Sequence, residues 1–170
     1  MIKYSLKVVI KMSELLAPAG NYEAFIAAIN AGANAVYMGL NSFSARAYAN
    51  NFNIEEIKSL VEYAHLRNVK IFVTMNTIIF QDELQLAYST IDELAKANID
   101  AIIIQDLALL DYVTKCHPTI EAHASTQMGI DDLEGINILE KIGAKRVVLA
   151  REVPVDKIKY FKSKIWNNRN

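Results

Sequence analysis

Glu121-Ala122-His123-Ala124-Ser125-Thr126-Gln127 is the segment whose residue types and spacing are best suited to chemistry. Extended as a strand, it puts Glu121, His123, Ser125 and Gln127 on one face and Ala122, Ala124 and Thr126 on the other. Small alanines suit packing beneath helices, so the polar set is expected to face the interior of a barrel and its mouth. An imidazole that titrates near neutral pH, beside hydroxyl and amide groups, can bind an anion or move a proton. The same set also fits a satisfied polar layer inside the fold, and both readings stand at this point.

Other candidates lie where strands are expected to end. His123, Asp106 and Glu152 are the candidates for acid–base work, although Asp106 equally suits the cap of the helix that follows it. Arg46 and Arg151 can clamp carboxylate or phosphate groups, since guanidinium binds both in bidentate fashion. The alternative for Arg151 is an ion pair with Glu152 or Asp106; Arg46 falls in the long polar loop Ser42 to Asn51, of the kind that carries function. Asn76, Gln105, Ser125 and Gln127 can contact substrate or satisfy loop backbone. Gly20 and Asn21 offer backbone N–H groups to an anion at a helix start. His65 and His117 do not combine with His123 at metal-ligand spacing, Cys116 has no evident base, and no metal site is expected. Lys157, Lys159, Lys162 and Lys164 read as a solvated helix face that can also touch phosphate.

The elements that position these residues come from one recurring phrase. Gly32-Ala33-Asn34-Ala35-Val36, Asn68-Val69-Lys70-Ile71-Phe72, Asn98-Ile99-Asp100-Ala101-Ile102 and Gly143-Ala144-Lys145-Arg146-Val147 each place Gly or Asn after an amphipathic run and before a β-rich one. Gly and Asn tolerate the left-handed conformation that ends a helix, so each phrase predicts a helix C-cap feeding a strand. Strands are predicted at Glu14–Pro18, Ala35–Gly39, Lys70–Asn76, Ala101–Gln105, Ile120–Ser125 and Arg146–Ala150. Asn53 with Glu56 has capping-box spacing, Asp82 with Gln85 suggests a similar start, and Asn21 and Asp132 precede further helices. Pro154 suits the first turn of a last helix through Ile158, Phe161 and Ile165. Short apolar strands alternating with helices predict right-handed crossovers and a parallel sheet. The turn Ala17-Pro18-Ala19-Gly20-Asn21 lacks a nucleotide-binding glycine pattern, and polar residues gather at the ends of nearly every strand. The expected fold is therefore α/β: an incomplete TIM-like (β/α) barrel of about six parallel strand-helix units.

Bulk properties bound the reading further. A chain of 170 residues with 52% apolar and 22% charged side chains has the makings of one globular domain and not of a disordered one. The partition expected is an extension over 1–12, the barrel portion over 13–166 and a tail over 167–170. A net charge of -1 excludes a global field that would draw in nucleic acid, so any RNA contact must be argued from a site. The single cysteine cannot form an internal disulfide, which fits a reducing cytoplasmic setting. Met1 to Lys11 lacks the features of a secretory leader, and no apolar run reaches the ~20 residues that span a bilayer, so no membrane partner is expected.

With these segments placed, the sequence resembles a known family. Glu14–Asn21, Ala33–Gly39, Arg46–Phe52, Thr74–Thr77, Ile104–Asp106, Glu121–Gln127 and Val148–Glu152 together resemble, in order, the amino-terminal barrel of the collagenase-like peptidase U32 family. The resemblance runs from about Ser13 to about Ile165. It implies either the peptidase activity of the family's label or a part in hydroxylating tRNA, ribosomal RNA or the ubiquinone ring, in some members with prephenate. On the hydroxylation reading, Arg46, Arg151 and His123 would bind an anionic cosubstrate such as prephenate, and Asp106 and Gln105 would orient it. Some members hold an iron–sulfur cluster on four cysteines beyond the segment matched here; this chain has no equivalent, and no cofactor is expected in it. The protease label has less physical support, because no nucleophile-base pair or metal set is legible. An incomplete ring leaves two strand edges unpaired, so a homo-oligomer or a complementing carboxyl-terminal half is expected, with RNA as a candidate substrate. The alternative is a truncated, noncatalytic or split-barrel fragment.

Overall fold

A computed structural model describes residues 13–45 and 51–167. Six strands alternate with six helices: β1 Leu16–Ala19, α1 Tyr22–Asn30, β2 Ala35–Gly39, α2 Ile54–His65, β3 Lys70–Met75, α3 Leu84–Lys96, β4 Ala101–Ile104, α4 Leu107–Cys116, β5 Glu121–Ala124, α5 Leu133–Ile142, β6 Arg146–Val147 and α6 Val155–Asn167. All neighbours pair in parallel in the order β1-β2-β3-β4-β5-β6.

That order decides the architecture. Right-handed crossovers between strands that never reverse direction along the sheet put every helix on the same face, whereas a doubly wound sheet must reverse to cover both. Packing agrees. One large cluster joins Val36, Met38, Ile71, Val73, Ile102 and Ala122 of the strands to helical side chains such as Phe25, Ile57 and Leu94. The opposite face forms a separate cluster of strand residues alone, with Ala35, Phe72 and Ala101 at its centre and Leu16, Tyr37 and Ile103 around them. The sheet is thus an open six-stranded arc of a TIM-like barrel, with its helices outside and a lumen inside.

The four C-cap phrases behave as their chemistry requires. Gly32, Asn68, Asn98 and Gly143 all adopt positive φ, at 85°, 57°, 56° and 115°. At Gly143 a side chain is doubly excluded, since a Cβ would lie 2.9 Å from Thr114 Cγ2. The Asn53 box is complete: the Asn53 side chain accepts from Glu56 N–H at 2.9 Å and the Glu56 carboxylate accepts from Asn53 N–H at 2.8 Å. Asn21 and Asp132 cap α1 and α5.

Several expectations shift. The start of α3 does not use Asp82; residues 81–83 form a turn, Glu83 occupies the cap position, and its carboxylate accepts from Phe80 N–H at 2.9 Å. Pro154 sits just before α6, its carbonyl accepting from Ile158 N–H. The first strand is Leu16–Ala19, shifted from Glu14–Pro18. The sixth keeps only Arg146 and Val147 of the five residues expected, because an edge strand has a neighbour on one side alone; Ala150 N–H turns away to Ile130 O. The expected extension 1–12 and most of the tail, 168–170, lie outside the described residues.

Candidate functional site at the barrel mouth and lumen

Strand register stacks the lumen side chains in layers. Pro18, Tyr37, Phe72, Ala101 and Glu121 are partners across successive strands, and one layer nearer the carboxyl ends come Gly39, Thr74, Ile103, His123 and Arg146. The expected face of β5 is therefore correct for Glu121 and His123, while Ala122 and Ala124 pack under the helices. The alternation ends there. Ser125 Oγ accepts from Gln127 N–H at 3.3 Å and starts a single 3-10 turn, Thr126–Met128, which leaves Gln127 exposed; Thr126 Oγ1 donates to Leu149 O at 3.0 Å.

His123 is 1% exposed. Its Nε2 lies 2.8 Å from Glu121 Oε2, and the Phe72 ring meets it edge-on with centroids 4.9 Å apart. Arg146 stands over the same Phe72 ring at 5.4 Å and pairs with Glu14 at 2.5 Å, joining β6 to the segment just ahead of β1. Burial holds the imidazole below its ordinary pKa, against the opposing pull of the Glu121 hydrogen bond, and the charge of Arg146 adds to the lowering. Glu121 is lowered in turn, first by the hydrogen bond from His123, with Lys70 and Arg146 contributing. Arg146, Glu14 and Phe72 were not singled out by sequence. Period-two alternation from Arg146 marks its face, but its partner is 132 residues distant.

At the mouth, Asn76, Gln105 and Ser125 directly follow the aligned trio Met75, Ile104 and Ala124. They stand side by side at strand spacings of about 4.8 Å. Asn76 Oδ1 accepts from Ala45 N–H at 3.2 Å, and Thr74 Oγ1 lies 3.0 Å from Ser44 Oγ, so the third strand seats the start of the loop that follows β2. Gly39 permits this approach: a Cβ there would fall 2.4 Å from Ser44 Oγ and 2.6 Å from Asn51 Oδ1. The bridge between Leu40 and Phe52 closes the loop's base. Arg46, on this loop, lies outside the described residues.

Asp106 is the cap of α4, its Oδ1 accepting from Ala108 and Leu109 N–H at 2.8 and 3.0 Å, so that one carboxylate oxygen is committed to backbone. Arg151 and Glu152 are exposed on the turn after β6, and neither forms an ion pair among the described residues. Gly20 and Asn21 begin α1 at the same end of the sheet, with the Asn21 side chain accepting from Ala24 N–H at 2.8 Å. The remaining histidines serve packing. His65 reaches Asp100, and His117 shares Asp92 with the Tyr112 hydroxyl between α3 and α4.

A family model described as Peptidase family U32 matches residues 20–168. The chain belongs to this family. It is 42% identical over 146 residues to the 23S rRNA 5-hydroxycytidine C2501 synthase of Escherichia coli, covering 86% of this chain and 22% of that protein. It is 39% identical over 147 residues to a collagenase of Porphyromonas gingivalis, covering 86% of this chain and 35% of that protein. With the tRNA hydroxylation protein P1 of Bacillus subtilis the identity is 35% over 159 residues, or 94% of this chain and 38% of the relative. The chain thus spans well under half the length of these relatives. Among solved structures, the U32 peptidase Mk0906 superposes with a TM-score of 0.65 at 15% identity over 81% of this chain and 58% of that one. An aldolase, QR15, gives 0.64 at 18% over 92% and 76%. These two likenesses speak for the barrel-type fold alone.

The four-thiolate cluster implied for some U32 members does not fit the donors present, since Cys116 is the single cysteine and is exposed at the end of α4. Among the described residues, no three His, Cys, Asp or Glu side chains converge as metal ligands. No helix among them is long and apolar enough to cross a membrane.

Proposed function

We propose that this U32 barrel portion serves RNA hydroxylation, with its mouth binding an anionic cosubstrate such as prephenate. The observation that carries this reading is the similarity, at 42% and 35% identity, to two relatives named for rRNA and tRNA hydroxylation. The geometry supplies compatible groups. Arg151, without an ion-pair partner among the described residues, offers a guanidinium to a carboxylate; Arg46, outside the described residues, is a second candidate guanidinium by sequence alone. Asn76 and Gln105 line the rim as hydrogen-bonding groups, with Ser125 buried next to them, Gln127 exposed on the 3-10 turn and the backbone at Gly20 and Asn21 at the same end of the sheet. His123 and Glu152 are the groups able to hold or move a proton; Asp106 acts by fixing α4 beside Gln105.

Calorimetric titration of the purified chain with prephenate tests the reading directly. Saturable binding is expected, weakened about tenfold or more in Arg151→Ala and in Arg46→Ala, as for loss of a charge-assisted contact. Nucleoside mass spectrometry of RNA from a hydroxylation-deficient host expressing the chain, alone or with a complementing carboxyl-terminal half, tests the activity. No prephenate binding and no hydroxylated nucleoside in either setting would refute it. Peptide cleavage by the pure chain that survives chelators and His123→Ala would instead favour the activity named for the P. gingivalis relative.

A further inference from the structure

The lumen pair makes a demand on the ligand that Arg151 at the rim does not. Glu121 is an ionised carboxylate and therefore accepts only, so the proton in the 2.8 Å contact belongs to His123 Nε2. The other ring nitrogen, Nδ1, makes no hydrogen bond among the described residues. Three charged groups set the field around this ring, Glu121 on its own strand, Arg146 on β6 and Glu14 ahead of β1, while Lys70 at the start of β3 acts on Glu121. Burial and Arg146 together favour the uncharged ring over the imidazolium that Glu121 alone would stabilise. A neutral imidazole in this tautomer presents a lone pair on Nδ1. Such a group repels carboxylate and phosphate oxygens and accepts from O–H or N–H.

We infer that His123 is a specificity-determining acceptor: in the Nε2–H tautomer, its Nδ1 takes the hydrogen bond of a hydroxyl on the bound ligand, while Glu121 is the positioning residue that fixes that tautomer. This rests on the proposed binding of a hydroxylated dicarboxylate at the mouth and divides its recognition in two. The anionic groups belong to the rim, where Arg151 stands, and the hydroxyl belongs to the lumen. His123 is thereby assigned a different task from the anion binding that the family resemblance implied.

Nitrogen-15 NMR of the histidine side chains in the full chain reads the tautomer without any variant. At neutral pH His123 is expected to show a protonated Nε2 and an unprotonated Nδ1, and Glu121→Gln is expected to mix the two tautomers. An imidazolium, or a proton on Nδ1, would overturn the inference. Prephenate is then compared with a dicarboxylate of the same skeleton lacking the ring hydroxyl. Wild type should prefer prephenate by about tenfold, and His123→Phe, which keeps an aromatic ring against Phe72, should bind both alike. Discrimination that persists in His123→Phe would sink the assignment. Failure of prephenate to bind at all would remove the mouth reading and the hydroxyl seat together, whereas prephenate binding with the wrong tautomer would remove this inference alone.

Discussion

At the residue scale, His123 was placed by its neighbours. Alternating alanines predicted that its ring would face inward, and the register with Ile103 and Arg146 shows that it does. The same alternation could not foresee Gln127 leaving the face, because Ser125 uses its hydroxyl to accept a turn N–H and ends the strand. Nor could it supply Glu14 and Arg146, whose meeting depends on the curvature of the whole sheet. The lowered pKa of His123 has a sign that can be followed. The unfolded chain takes up a proton from about pH 6.5 downward, while the native imidazole resists until its lower value. Stability must therefore fall as pH drops through that window, and Glu121, also lowered, extends the loss to more acid pH. Urea midpoints compared at about pH 7.5 and about pH 5.5 should drop in wild type and drop less in His123→Phe.

At the element scale, the C-cap phrases were legible because the left-handed conformation restricts which residues can occupy it, and local chemistry is visible in a sequence. Asn98→Gly is expected to leave stability within a few tenths of a kcal/mol, whereas Asn98→Ala should cost about 1 kcal/mol at the same positive φ. Gly143→Ala should cost more, since the added methyl also meets Thr114. Asn53→Ala removes the side-chain half of a complete box and should cost ~1 kcal/mol; chemical denaturation checks all four variants. The start of α3 was less legible. Asp82 and Glu83 are both able to end a turn, and tertiary placement of the β3–α3 connection chose Glu83, bonded to Phe80 N–H. The short β6 follows from its place at the sheet's edge, which no local pattern announces.

At the scale of the whole molecule, the strand order matches the expected arc, and apolar surface remains at both of its ends. A groove of about 530 Å³ opens between α5, β6 and α6, lined by Ile136, Val147, Leu149, Ile158, Phe161 and Ile165. Leu15 ahead of β1, and Val148 and Val155 beyond β6, are exposed. The chain purified alone should therefore self-associate and bind an apolar dye. Light scattering showing a dye-silent monomer would count against a missing-half or oligomer reading. The ion pair between Glu14 and Arg146 also orders events in time. Glu14 leaves the ribosome far ahead of the guanidinium that neutralises it, 132 residues later, so a nascent chain holding five units has a lumen whose electrostatics are unfinished. Because that contact closes the longest loop in the arc, Arg146→Met should speed unfolding while leaving the refolding rate almost unchanged. The lumen acquires this charge pairing only as the sixth unit arrives, which makes that pair a marker of the sixth unit's docking.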